Sequence, residues 1–236
     1  MRDPRARLIV AALPRAGETV ELGPEEAAHA RARRLVRGDL VLLFDGSGRV
    51  ATAEVSRINR TVCLVRVSEI VAAAPPGPAI TLAVAGLRAE RLAWVVEKAT
   101  ELGVARIVLL ESGRTQTFRA SPEVRSRLEK VARAAAKQCE RAEWPALSGP
   151  IDLESALEDE TFSHRLFLDF SGEPFPRRLA PLSSALLVGP EGGWTGSERR
   201  RASDRGWKSV TLPAGKLRAE TAAISAVVLL RAALEE

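Results

Sequence analysis

The hydrophobic pattern changes period part-way along the chain. Up to about residue 74, apolar residues come in short runs between turn signals. Leu40-Val41-Leu42-Leu43-Phe44 closes on Asp45-Gly46, Val50 to Val55 alternates loosely, and Val62-Cys63-Leu64-Val65-Arg66-Val67 forms a further run after the polar stretch Ser56 to Thr61. These read as strands joined by tight turns. A helix is predicted over 24–36, because Pro24 suits a first helical turn and Glu25 and Glu26 complement the positive end of the helix dipole. A small β-barrel with one or two helices fits these residues.

Farther on, apolar runs alternate with helical periodicity. Strands are predicted over 80–85, 105–110, 166–168, 185–188 and 210–212, and helices over 88–102, 122–142 and 221–234. In the first of these helices Leu92, Val95, Val96, Ala99 and Leu102 recur at helical spacing and Gly103 ends the pattern. Such β/α alternation predicts an α/β fold with a mostly parallel sheet covered by helices. Between the two patterns stands Ala72-Ala73-Ala74-Pro75-Pro76-Gly77-Pro78, which can continue neither a helix nor a central strand. The expected organisation is a domain over 1–74, a linker over 75–78 and a second domain over 79–236.

Composition narrows the function. With 46% apolar residues among 236, the chain can bury a real core and disorder is excluded. Two widely separated cysteines and two histidines supply neither a disulfide framework nor a metal-ligand cluster, so no metal is expected. No apolar run is long enough to span a membrane, and Met1-Arg2-Asp3-Pro4-Arg5 does not open a leader peptide. A cytoplasmic protein with reduced thiols is expected. The net charge of +5, carried mostly by arginine, suits a nucleic-acid partner, since guanidinium groups fork onto phosphates.

Two strand-to-helix connections hold the candidate chemistry. The first is Leu186-Leu187-Val188-Gly189-Pro190-Glu191-Gly192-Gly193-Trp194-Thr195-Gly196-Ser197-Glu198, where Thr195 and Glu198 have capping-box spacing. Its glycines let backbone amides approach a ligand, although a plain glycine turn reads equally well. It is neither a Walker loop nor GxGxxG, which leaves a nucleotide hydrolase a distant third reading. The second is Leu212-Pro213-Ala214-Gly215-Lys216-Leu217-Arg218-Ala219-Glu220-Thr221-Ala222. Glu220 at a helix start is explained by the dipole alone or by chemistry.

Together, in this order and near the C-terminus, Gly189-Pro190-Glu191-Gly192-Gly193 and Leu217-Arg218-Ala219-Glu220-Thr221-Ala222 resemble the bacterial 16S rRNA (uracil-N3)-methyltransferase family, of the SPOUT class. Glu97-Lys98-Ala99-Thr100-Glu101-Leu102-Gly103-Val104, Arg114-Thr115, Ala134-Ala135-Ala136-Lys137-Gln138-Cys139-Glu140-Arg141, Leu43-Phe44-Asp45-Gly46 and the N-terminal five residues extend the likeness over nearly the whole chain. The chain departs from the family pattern at Pro213 and Glu140, which replace glycines, and at Gly215, which replaces an arginine.

The resemblance implies a PUA-like β-barrel followed by a SPOUT-type trefoil-knotted domain, a homodimer, and S-adenosyl-L-methionine as cofactor. It places the cofactor among Leu168 to Gly172, Val188 to Gly193 and Leu212 to Ala222. The residues implied are Leu168, Leu187, Val188, Gly189, Pro190, Gly192, Gly193, Leu212, Leu217, Thr221 and Ala222. Uracil N3 carries a proton at neutral pH and lies on the Watson–Crick edge, so the base must be unpaired and its anion stabilised. Arg218 is the candidate for that stabilisation. Glu220 would position Arg218 or take the proton, with His29 a weaker alternative base.

For binding rRNA within the small ribosomal subunit, Arg31, Arg33, Arg34 and Arg37 form a cluster, unless they are a solvated helix face. Arg2, Arg5, Arg114 and Arg141 would add phosphate contacts. With no tyrosine and few other aromatics, extensive base stacking is not expected. Trp94 reads as packing, and Trp194 as bordering the cofactor or a dimer partner. Two alternatives stay open: a knotted methyltransferase acting elsewhere on rRNA or tRNA, and a non-catalytic RNA-binding ribosome-assembly factor.

Overall fold

A computed structural model describes residues 3–72, 77–111 and 121–235. These residues form two compact units. The first comprises the chain up to Ala72 together with Ala136–Glu143, and the second comprises the remainder from Gly77 onward.

The first unit contains β1 (Arg7–Ile9), β2 (Thr19–Glu21), α1 (Pro24–Ala32), β3 (Leu40–Phe44), β4 (Arg49–Ile58) and β5 (Cys63–Ala72). Its sheet has the order β1-β3-β4-β5-β2, with β1 parallel to β3 and the other neighbours antiparallel. Strand β4 shows why it forms. Ala51, Ala53 and Val55 point inward and are buried, while Thr52 is half-buried and Glu54 exposed, the period-two pattern of a half-buried strand. The inward residues pack with Leu8, Val41, Leu43, Cys63 and Val65.

Helix α1 stops at Ala32, short of the predicted residue 36. Arg34 takes a left-handed φ of 54°, which no helix continues, and this turns Leu35 into the core while its N–H still reaches the Ala30 carbonyl. The short strands β1 and β2 carry too little pattern to be seen in sequence. The Ala136–Glu143 segment joins this unit through Lys137 Nζ, 2.7 Å from a Glu26 carboxylate oxygen, and through Arg7, which donates to the Arg141 carbonyl at 3.2 Å.

In the second unit the order is β6 (Ile80–Ala85), α2 (Ala89–Glu101), β7 (Arg106–Glu111), α3 (Pro122–Gln138), β8 (Ala146–Asp152), α4 (Leu153–Leu157), β9 (His164–Pro174), β10 (Ser184–Val188), α5 (Gly196–Asp204), β11 (Lys208–Thr211) and α6 (Ala219–Glu235). All six strands are parallel, in the order β11-β9-β10-β6-β7-β8. Every residue of the central strands β6 and β10 is buried, as expected for strands covered on both faces. One face packs on α2, α3 and α6, the other on α4 and α5. Helix α3 ends four residues before the predicted 142. The following turn holds Glu140 at φ 61°, a conformation that suits the glycine the resembled family carries there.

Strand β9 runs well past the predicted 166–168. On its β11 side Phe167 faces Ser209, but the next paired residue is Glu173, opposite Val210. Leu168 to Gly172 is therefore an outward bulge against β11, although Leu168 still pairs with Val188 on the other side. Gly172 lies flush on β11: a Cβ there would meet the Val210 backbone at 2.6 Å.

Candidate active site

Because the sheet is parallel, the β9 bulge and the loops after β10 and β11 lie at the same edge. Ligands in such sheets bind beyond the strand C-termini. One cavity forms there, lined by Leu168, Asp169 and Phe170 from the β9 bulge, by Val188 to Glu191 with Gly193 and Trp194 after β10, and by Thr211, Leu212 and Ala214 to Leu217 after β11. Ala219 and Ala222 on α6 and Arg199 on α5 complete it.

Local chemistry fixes each loop. Thr195 and Glu198 form the reciprocal capping box that starts α5, so the glycine turn ends at a defined point. Trp194 folds back under the turn, donates from Nε1 to the Leu168 carbonyl at 2.9 Å and stacks edge-on against Phe167. Gly189 is pressed against that indole, where a Cβ would lie 2.8 Å away. Asp169 is buried, with its side chain 2% exposed, and binds the Arg199 guanidinium, including an Nη2–Oδ1 contact of 3.3 Å. That bond with Asp169 raises the Arg199 pKa further above its ordinary value.

The predicted residues divide by position. Leu168, Val188, Gly189, Pro190, Gly193, Leu212, Leu217 and Ala222 all line the cavity, whereas Leu187, Gly192 and Thr221 do not. Alternation along β10 explains Leu187: it points with Ala185 to the α4/α5 face, into a core that holds Trp207. Thr221 faces outward from α6. Arg218 is exposed at the start of α6 and has no carboxylate partner among the described residues. Glu220 does not hold Arg218. It pairs with Arg91 of α2, Nε to Oε1 at 3.4 Å, and the same guanidinium binds Glu191 of the glycine turn. The second Glu220 oxygen is buried without a hydrogen-bond partner among the described residues.

Sequence reasoning missed Arg91, Asp169 and Arg199. Asp169 alone carried a signal, an acid at the end of the apolar run Leu166 to Leu168. Trp94 is 41% exposed on α2, not packed as predicted, while Trp194 is buried beside the cavity. In the first unit Arg33, Arg34 and Arg37 are exposed, Arg31 donates to the Asn59 carbonyl at 3.4 Å, and Arg5 pairs with Asp39 at 2.7 Å. Arg141 is half-buried, and Arg2 and Arg114 lie outside the described residues. His29 sits on α1. Its pKa is lowered by burial and then by the nearby Lys137, against an opposing pull from Glu26. Among the described residues no group of histidine, cysteine, aspartate and glutamate could hold a metal ion. Nor, among the described residues, is any helix long and apolar enough to cross a membrane.

Comparison with known proteins gives this geometry a family. Residues 75–231 match an RNA methyltransferase domain and residues 22–68 an RNA methyltransferase PUA domain. The ribosomal RNA small subunit methyltransferase E of Synechocystis sp. is 30% identical over 215 residues, covering 87% of this chain and 70% of that protein. This chain belongs to the ribosomal RNA small subunit methyltransferase E family. Its namesake in Rickettsia conorii is 29% identical across 90% of this chain and 89% of its own. A Legionella pneumophila methyltransferase, solved with bound SAM, superposes with a TM-score of 0.87 at 29% identity over 97% of both chains. The fold is shared as well with the Neisseria gonorrhoeae member, at a TM-score of 0.86, 24% identity and 96% of both chains. These matches make residues 22–68 a PUA-type domain and residues 75–231 a methyltransferase domain.

Proposed function

We propose that this chain is an enzyme that transfers a methyl group from S-adenosyl-L-methionine to N3 of one uridine in 16S rRNA of the small ribosomal subunit. The observation that carries the proposal is the cavity built from the β9 bulge and the loops after β10 and β11. Its lining suits the donor. Leu168, Val188, Leu212, Leu217 and Ala222 offer apolar surface for an adenine ring, the Gly189–Gly193 turn offers backbone polar groups for its edge, and Lys216 offers a cation for a carboxylate. When bound there, S-adenosyl-L-methionine supplies a methyl group already activated on a sulfonium, so the protein's task is mainly alignment.

The remaining steps belong to the chain's own residues. Arg218, through its guanidinium, stabilises the charge that develops on the uracil once N3 loses its proton. Glu220 acts through Arg91, which ties it to Glu191 and so holds two of the three loops together. In this reading residues 1–74 bind RNA and residues 79–236 form the knotted catalytic domain. The enzyme works in the cytoplasm as a homodimer. Ile224 and Val228 on α6 with Trp94 on α2 leave apolar surface for the second copy, as expected for a helix apolar on nearly every side.

The test is transfer of labelled methyl groups to small subunits purified from cells lacking this gene, followed by nucleoside analysis. N3-methyluridine at one position is expected. Label in another nucleoside would replace the proposed target, and no label with confirmed donor binding would refute small-subunit RNA as the substrate.

A further inference from the structure

Phe170 stands at the crest of the β9 bulge and lines the rim of the cavity, yet it is 67% exposed. The other described phenylalanines are buried or half-buried. A large apolar ring left in water forgoes the free energy of burial, and such exposure at a cavity mouth marks a binding surface. The backbone on both sides of the ring is fixed. The Leu168 carbonyl is held by Trp194, the Asp169 carboxylate by Arg199 and by the Ser171 N–H, and Gly172 is flush against β11. Phe170 therefore cannot relax inward by shifting the loop. The bulge presents a rigid aromatic face at the edge of the methyl-transfer site, which is a recognised use of bulges near active sites.

We propose that Phe170 is a stacking platform for the target nucleobase. This inference rests on the methyltransferase function proposed above. A pyrimidine taken out of its stack loses its neighbours' π-faces, and an enzyme that accepts it must supply a replacement. The lining offers a single exposed ring for that purpose. The adenine of the donor is provided for elsewhere, between the less exposed Leu212 and Leu217. The apolar surface suited to a second copy is carried by Ile224 and Val228, which do not line this cavity.

The experiment compares wild type with Phe170→Ala, Phe170→Leu and Phe170→Trp. It measures methyl transfer to hypomethylated small subunits, donor affinity by calorimetry, thermal stability and oligomeric state. Stacking of one base on an aromatic predicts a roughly ten- to hundredfold loss of kcat/KM for RNA in both Ala and Leu variants. Phe170→Trp should retain activity, and donor affinity and melting temperature should stay at wild-type values. Wild-type kcat/KM in Phe170→Leu would overturn the proposal. A matching fall in donor affinity would assign the ring to adenine instead, and loss of the oligomer would assign it to a second copy. A wild-type enzyme that methylates no small-subunit RNA would refute the functional reading and this proposal together; an active wild type with an equally active Phe170→Ala refutes only the latter.

Discussion

Arg91 Nε lies 3.4 Å from Glu220 Oε1, and the same guanidinium grips Glu191. One cation on α2 thus joins the glycine turn after β10 to the first turn of α6. The Glu220 side chain is only 13% exposed, so removing its partner leaves an under-satisfied carboxylate. Arg91→Ala should cost about 1–3 kcal/mol of stability, the range for leaving a buried acceptor unmatched. It should also loosen two of the three cavity loops and weaken donor binding by roughly tenfold, about 1.4 kcal/mol. Arg91→Lys should fall between, because an ammonium cannot span both carboxylates as a fork does. Calorimetry and thermal unfolding check this, and unchanged donor affinity in Arg91→Ala would show the loops held without it.

Two glycines of one turn should behave differently. At Gly189 a Cβ would press into the Trp194 indole, which is buried and pinned by its bond to Leu168. Gly189→Ala should therefore cost about 1–3 kcal/mol through overpacking and displace the cavity wall. At Gly193 nothing stands within 4 Å of the new Cβ, and only its φ of 65° opposes a side chain. Gly193→Ala should cost roughly 1–2 kcal/mol of backbone strain with the wall in place. Donor affinity should drop sharply in the first variant and little in the second. Equal losses would mean that backbone conformation, not the indole contact, shapes the site.

How far the sequence reached is clear from particular residues. Period-two and 3.6-residue patterns exposed β6, β10 and α2, because each is long and buried on a regular face. The Thr195–Glu198 capping box was legible because it is local. Strands β1 and β2, three residues each, carry no period to detect. The Leu168–Gly172 bulge is a register relation between two strands, so neither strand encodes it alone. The glycine turn and the start of α6, both marked by motifs, border the cavity, whereas Leu187 faces the other side of the sheet, a facing that its motif does not encode. Arg91 was invisible among 35 lysines and arginines, since its two partners lie 100 or more residues away.

Asp45 gives a pH prediction in the first unit. Burial raises its pKa, but hydrogen bonds from the Ser47 side chain and from the Leu13 and Ser47 N–H groups outweigh that and hold it below the ordinary carboxylate value. With the folded pKa depressed, the unfolded chain binds the proton first as pH falls. The stabilisation is therefore complete above the ordinary aspartate value of about 4 and disappears as pH drops through the lower folded value. Asp45→Asn should lower stability near neutral pH by about 0.5–1.5 kcal/mol. The gap from wild type should narrow in acid. Denaturant melts across pH measure it, and a gap independent of pH would remove the charge from the explanation.

The arginines after α1 predict a salt signature. Arg33, Arg34 and Arg37 are exposed and have no carboxylate partner among the described residues, whereas Arg5 is neutralised by Asp39. Unpaired guanidinium groups release counterions from each phosphate they neutralise, so they set the slope of binding against salt. The variant to test is Arg33→Ala, Arg34→Gly, Arg37→Ala. Glycine is chosen at 34 because the φ of 54° there already suits it, which keeps the end of α1 intact. Three lost phosphate contacts should flatten the slope of log affinity against log salt by roughly two units. RNA affinity should fall most at low salt, while donor binding stays at the wild-type value. A wild-type slope in the triple variant would place the phosphate contacts on another surface and leave these arginines as a solvated edge.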